Sequence, residues 1–187
     1  MNVLSRLYRS GYRHNQTMKT QVIHFILSFA LICGLTAFVS QTAAAQSPYT
    51  PVTKYDPKRD AARDIDDAVA EAKRTNRRIL LVVGGEWCSW CHILDKYFGA
   101  QPDVKALRDK NFVTVKINFS DENENDQVLS RYPPAEGYPH IYVLDSDGKF
   151  LHSQGTGVLE SGNSYNLDKM NNFLTQWAPP VKPATTP

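Results

Sequence analysis

Apolar positions along this chain change their spacing several times, and each change marks an element. From Asp60 to Asn76 they recur at helical intervals, with Ala61, Ile65, Ala68, Val69 and Ala72 on one face, the charged remainder reading as a solvated face. Arg78 to Val83 then runs apolar without a break, the pattern of a strand buried on both faces. From Cys88 onward Ile93, Leu94, Tyr97 and Phe98 return to helical spacing, with Gly99 as a stop, and Pro102 opens a further helical piece carrying Val104 and Leu107. Phe112 to Ile117 alternates apolar and polar residues, which predicts a second strand. A short helix around Gln127 to Tyr132 ends at Pro133-Pro134, and Tyr138-Pro139 leads at once into a strand through Leu144. Asp145-Ser146-Asp147-Gly148 is a hairpin turn returning through Phe150 and Leu151. The last helix, Asn166 to Trp177, sets Leu167, Met170, Phe173, Leu174 and Trp177 at core spacing.

Helices and strands in this order predict one α/β domain over residues 59–178. Residues 46–58 carry Pro48, Pro51 and Pro57 without any period and read as an extended linker, and 179–187 as a disordered proline-rich tail.

The first 45 residues are of a different kind. Arg6, Arg9, Arg13 and Lys19 precede an apolar stretch from Val22 to Val39, and Ala43-Ala44-Ala45 offers a small-residue cleavage site, so 1–45 reads as a secretory signal peptide. Met18-Lys19 with the same stretch is itself a complete short signal, and an uncleaved anchor is the competing reading. The expected location is therefore secreted or periplasmic. This leader holds four of the 21 Lys and Arg and none of the 19 Asp and Glu, so its removal takes the formal charge from +2 to about −2. The basic balance gives no argument for nucleic acid as a partner.

Removal of the leader also takes Cys33, leaving Cys88 and Cys91 as the only cysteines. Trp87-Cys88-Ser89-Trp90-Cys91-His92 directly follows the apolar strand, which puts Cys88 at a helix N-terminus. Backbone N–H groups and the helix dipole stabilise a thiolate there and lower a cysteine pKa from ~8.5 to about 3.5–7.5. Cys91, one turn further in, is the more buried thiol and shares a face with Cys88, so it can attack a mixed disulfide formed there. Cys88 is accordingly the expected nucleophile and Cys91 the resolving thiol. Three other readings compete. A purely structural disulfide across so short a loop removes little chain entropy. Attachment of c-type haem matches Cys88-x-x-Cys91-His92, with Met170 as the one downstream methionine for a second axial position. A metal site would draw on Cys88, Cys91 and His92 or His140, without a second Cys-x-x-Cys pair to complete four ligands.

Glu86-Trp87-Cys88, Cys91-His92, Asp95-Lys96-Tyr97, the run Pro102 to Leu107 and Gly137-Tyr138-Pro139 before a strand together resemble the thioredoxin-like superfamily over roughly Asp60 to Trp177. Within it the pattern is most similar to periplasmic thiol:disulfide interchange reductase domains. The resemblance implies an α/β thioredoxin-like fold with a central mixed sheet of four to five strands flanked by helices, and a cis-proline at Pro139 packed against the disulfide. It also marks a departure: thioredoxins carry a buried aspartate six residues before the first cysteine, and here that position is Val82. Glu86 and His92 are the titratable residues nearest in sequence, and are the candidates for proton transfer. The Ser89-Trp90 pair matches neither thioredoxins nor strongly oxidising relatives, so the resemblance does not set a reduction potential.

The expected function is an exported, monomeric oxidoreductase that exchanges disulfides with protein partners, working as a reductase fed by a membrane electron-donor protein and needing no cofactor. Trp87, Trp90, Tyr138 and Pro139 form the expected rim for a partner segment. A thioredoxin-like module delivering copper or haem through Cys88, Cys91 and a histidine is the alternative.

Overall fold

In a computed structural model, which describes residues 48–181, the apolar run becomes strand β1 (Arg78–Gly84), the second strand of a four-stranded sheet. The leader and residues 182–187 of the tail lie outside the described residues. Before β1 comes helix α1 (Ala61–Thr75), and after it α2 (Ser89–Ala100) and α3 (Pro102–Asn111). Strand β2 (Phe112–Asn118), a single turn α4 (Asp126–Leu129) and the hairpin β3 (His140–Leu144) and β4 (Phe150–Gly155) follow. A short ribbon of β5 (Glu160–Ser161) and β6 (Ser164–Tyr165) leads into α5 (Leu167–Gln176). The expected mixed sheet of four to five strands thus has four, in the order β2-β1-β3-β4. Strands β1 and β2 are parallel, and the other pairs are antiparallel.

Successive side chains of β1 point to opposite faces, which splits the core into two layers. Leu80 and Val82 pack with Leu94 and Phe98 of α2, Val104 of α3 and Met170, Phe173 and Leu174 of α5. Ile79, Leu81 and Val83 pack on the other face with Ala61, Ile65, Ala68 and Ala72 of α1. Every one of these β1 side chains is at least 98% buried, so an all-apolar strand is what the site between two helical layers demands.

Helix boundaries follow local chemistry. Asp60 caps α1 by accepting a hydrogen bond from the Arg63 N–H at 3.1 Å, and Asn166 caps α5 by accepting one from Lys169 at 3.0 Å. Gln101 sits between α2 and α3, where Pro102 fills the first helical position without leaving a donor unsatisfied. The turn after β3 is held by the Asp145 carboxylate, which accepts from the N–H groups of Asp147 and Lys149, each at 2.9 Å. Two acids on α1 depart from the solvated-face reading. Asp64 and Glu71 are buried, the first paired with Arg59 and the second with Arg74 and Arg77, so their charges are satisfied inside the packing.

Residues 48–58 contain no helix or strand but lie along the domain. Val52 enters the α1 layer and Tyr55 the opposite one, and the Val52 carbonyl accepts from the Lys116 N–H of β2 at 3.2 Å. The arm thereby meets the edge of the sheet that β2 would otherwise leave open.

On β3, His140 is 97% buried, with Nε2 2.8 Å from the Ser153 hydroxyl. Burial holds its pKa below the usual 6.5, His152 acting in the same sense and Glu136 against it. The folded chain therefore takes up this proton later than the unfolded chain as pH falls. Stability is expected to be complete above pH ~6.5 and to decline below it, and His140→Gln should flatten that decline. Urea midpoints at about pH 7.5 and about pH 5 read the difference between the two slopes.

Candidate active site

The end of β1, the start of α2 and the entry to β3 converge on Cys88 and Cys91. Cys88 is the N-cap of α2 with extended backbone, and its sulfur accepts the Cys91 N–H at 3.1 Å. The two sulfurs are bonded, with Cα atoms 5.2 Å apart. Both cysteines are buried, Cys91 completely and Cys88 to within 4%. The Tyr138–Pro139 peptide bond is cis, and the Pro139 carbonyl accepts the Thr156 hydroxyl at 2.7 Å.

Two glycines make the approach of α2 possible. A Cβ on Gly84 would stand 2.3 Å from the Cys91 sulfur, and one on Gly85 would stand 2.3 Å from Trp87 Nε1 and 2.8 Å from the Phe119 carbonyl. Gly84 also holds the neighbouring strand end, its carbonyl accepting the Phe119 N–H at 2.6 Å. Neither glycine was among the sequence candidates, although a Gly-Gly pair closing an apolar strand is itself a signal of close backbone approach.

The expected aromatic rim separates into two groups. Trp87 is 59% exposed, donates its indole N–H to the Phe119 carbonyl at 2.7 Å, and meets Tyr138 edge-on at 5.7 Å. Tyr138 in turn stacks on Phe119 at 4.7 Å, which brings in a residue the sequence reading missed because it lies just beyond β2. Trp90 instead meets Tyr165 of β6 edge-on at 5.7 Å, so it belongs to the α2 layer.

The two candidates for proton transfer are neighbours. His92 Nε2 lies 2.8 Å from the Glu86 carbonyl and 3.8 Å from its carboxylate, and both side chains are at least half exposed. Val82 occupies the position of the missing aspartate and is 2% exposed. Its register partner on β2 is Lys116, which forms an ion pair with Asp95 of α2. Asp95 follows Cys91 by one turn, so a carboxylate does reach this side of the site, from the helix and not from the strand. Met170, the one downstream methionine, is fully buried in the core on α5. His140 lies within β3 against Ser153, and among the described residues no three His, Cys, Asp or Glu side chains converge as a metal site.

A disulfide that caps a helix at the end of a central strand, beside a cis-proline loop, defines a dithiol/disulfide class of α/β protein. The thioredoxin-like family model matches residues 60–146. A disulphide isomerase from Xylella fastidiosa shares 30% identity at a TM-score of 0.57, covering 71% of this chain and 98% of that one. This chain belongs to the thioredoxin-like family. Among curated relatives, the thiol:disulfide interchange protein DsbD of Citrobacter koseri is 25% identical over 156 residues, 79% of this chain and 26% of that protein. The disulfide bond reductase DsbH of Chlamydia pneumoniae is 23% identical over 97 residues, 48% of this chain and 58% of that one. The first curated relatives are much longer proteins, of which this chain spans 12%, 9% and 26%.

Gly84→Ala is expected to destabilise the oxidised protein by about 1–3 kcal/mol, because neither the Cys91 sulfur nor the β1 backbone can yield without repacking the layer. Gly99→Ala in α2 meets nothing within 4 Å and should stabilise by about 0.5–1 kcal/mol. Thermal midpoints of the two variants, measured with the disulfide intact, give opposite signs.

Proposed function

We propose that this protein is an exported thiol–disulfide oxidoreductase that reduces disulfides in protein partners through Cys88 and Cys91. The observation that carries the reading is the Cys91 N–H directed at the Cys88 sulfur at 3.1 Å, at the first turn of α2. A thiolate at Cys88 gains a charge-assisted hydrogen bond and the helix dipole, while Cys91 lies enclosed behind it.

In the proposed cycle the Cys88 thiolate attacks a partner disulfide, forming a mixed disulfide and releasing one partner thiolate. Cys91 then loses its proton and attacks the Cys88 sulfur. The second partner thiolate departs, the Cys88–Cys91 disulfide closes, and two electrons have passed from the dithiol to the partner. A membrane electron-donor protein restores the dithiol by the same exchange in reverse. Trp87, Tyr138 and the backbone at Pro139 form the docking rim for an extended partner segment, with Trp90 on the α2 side, and Glu86 and His92 relay protons at its edge. Export rests on the basic, apolar and alanine-rich succession of residues 1–45. The reductive direction is favoured by similarity to the thiol:disulfide interchange and disulfide bond reductase proteins.

Cys91→Ser is expected to accumulate a stable mixed disulfide with partner proteins, and Cys88→Ser is not. Non-reducing electrophoresis of the two variants checks this, and equal trapping by both removes the assignment. The equilibrium of the Cys88/Cys91 couple against glutathione tests direction. A potential near about −270 mV supports a reductase, whereas one near about −120 mV reverses the proposed flow.

A further inference from the structure

Tyr55, from the arm that precedes α1, packs in the same core layer as Cys88 and Cys91. Its ring is 98% buried, and its hydroxyl has no hydrogen-bond partner among the described residues. Both Cζ and the hydroxyl oxygen lie 3.4 Å from the point where a Gly84 Cβ would stand, and the Cys91 sulfur lies 2.3 Å from that same point. The absent glycine side chain is therefore what lets the phenol and the sulfur share one small space.

A buried hydroxyl without a partner costs stability, and replacing it by hydrogen of the same shape is neutral or favourable. What changes beside Tyr55 during exchange is Cys91. As half of a disulfide its sulfur is a weak acceptor. As a thiolate it is a strong one, with a full negative charge inside a closed apolar layer.

The charges around Tyr55 fix its role. Lys116 places its ammonium 4.6 Å above the ring centre and pairs with Asp95, and Tyr165 and Glu86 complete the groups that face the phenol. Burial raises the Tyr55 pKa, with Asp95, Tyr165 and Glu86 adding in the same sense. The phenol thus keeps its proton and acts as a donor, not as a base. It also lines a cleft with Glu86, His92, Asp95 and Lys116, so titratable groups and solvent lie beside the phenol.

We infer that the Tyr55 hydroxyl is the hydrogen-bond donor that stabilises the Cys91 thiolate when the disulfide opens. This rests on Cys91 being the resolving thiol. In the oxidised protein the donor stands idle. On resolution the Cys91 thiol gives up its proton to the cleft, the hydroxyl turns onto the sulfur, and the bond is lost again as the sulfur re-forms the disulfide. An extended segment outside the helix and strand framework would then be a working part of the site.

The test is Tyr55→Phe in the full chain, measured in both redox states. With the disulfide closed, the variant should be as stable as the parent or more so, since only an unpartnered hydroxyl is lost. With the disulfide reduced, above the pH at which Cys91 ionises, it should be less stable. Titration of thiolate absorbance in a Cys88→Ser background should show the Cys91 thiolate fraction falling about tenfold to a hundredfold at a given pH when Tyr55 becomes Phe. Partner release should slow near neutral pH, with the gap closing as pH rises. A change of the same sign in both redox states, a failure to fold, or an unmoved Cys91 titration overturns the inference. If Tyr55→Phe shifts the titration but the parent exchanges no disulfides, the contact stands and the proposed function falls.

Discussion

The contact between the end of β1 and the start of α2 is the constraint on which the rest of this structure depends. The Cys91 sulfur stands where a Gly84 side chain would begin, so backbone and sulfur are in van der Waals contact with no atom to spare. That contact is possible only because β1 is held rigidly between two helical layers, with its side chains alternating into both. A loose strand would let α2 ride up and expose the sulfur. Packing of the core and placement of the redox pair are thus one requirement, and the residues that satisfy it are the smallest available at positions 84 and 85 and the most apolar available from 79 to 83.

The same tight approach divides the surroundings of the disulfide into two sides. On one, the exposed Trp87 and the half-buried Tyr138 and Phe119 form an aromatic group at the cis-proline loop. On the other, Tyr55, Asp95 and Lys116 collect polar atoms near the buried cysteine. In the proposed cycle a partner docking on the aromatic group would meet Cys88, whose sulfur already faces a backbone donor. On the proposed roles, the groups that would serve Cys91 are Tyr55 and the cleft it shares with Glu86, His92, Asp95 and Lys116.

How much of this was legible in the sequence depended on whether the physics was local. The strand before Cys88, the helix starting at it, the hairpin turn at Asp145 and the helices expected from Asp60 and from Asn166 follow from short-range pattern, and the structure has each of them. One boundary drifted where proline punctuates the chain. The helix expected from Gln127 to Tyr132 is a single turn at Asp126–Leu129, whereas the strand expected directly after Pro139 does begin at His140. The buried acids Asp64 and Glu71 looked solvated because their arginine partners lie off the helix face or beyond its end.

What the sequence concealed are contacts between elements far apart in the chain. Phe119 joins the rim because β2 runs parallel to β1 and ends beside it, a neighbour that only sheet register reveals. Asp95 and Lys116 pair across α2 and β2, and that pairing puts a carboxylate near the site although Val82 occupies the strand position. A search for the missing acid along β1 could not find it. The lysine is the element held in place, since its backbone N–H is bonded to Val52 and its ammonium rests over Tyr55, so the arm, the sheet edge and the helix meet through a single side chain. Residues 48–58 are therefore positioned by the same contact that brings a charge toward the buried thiol. For a chain whose strand lacks an acid, the arm and the sheet edge bring a phenol and an ammonium to this side of the site, and it is these two, not the Asp95 carboxylate, that would lower the cost of generating a second thiolate in an apolar layer.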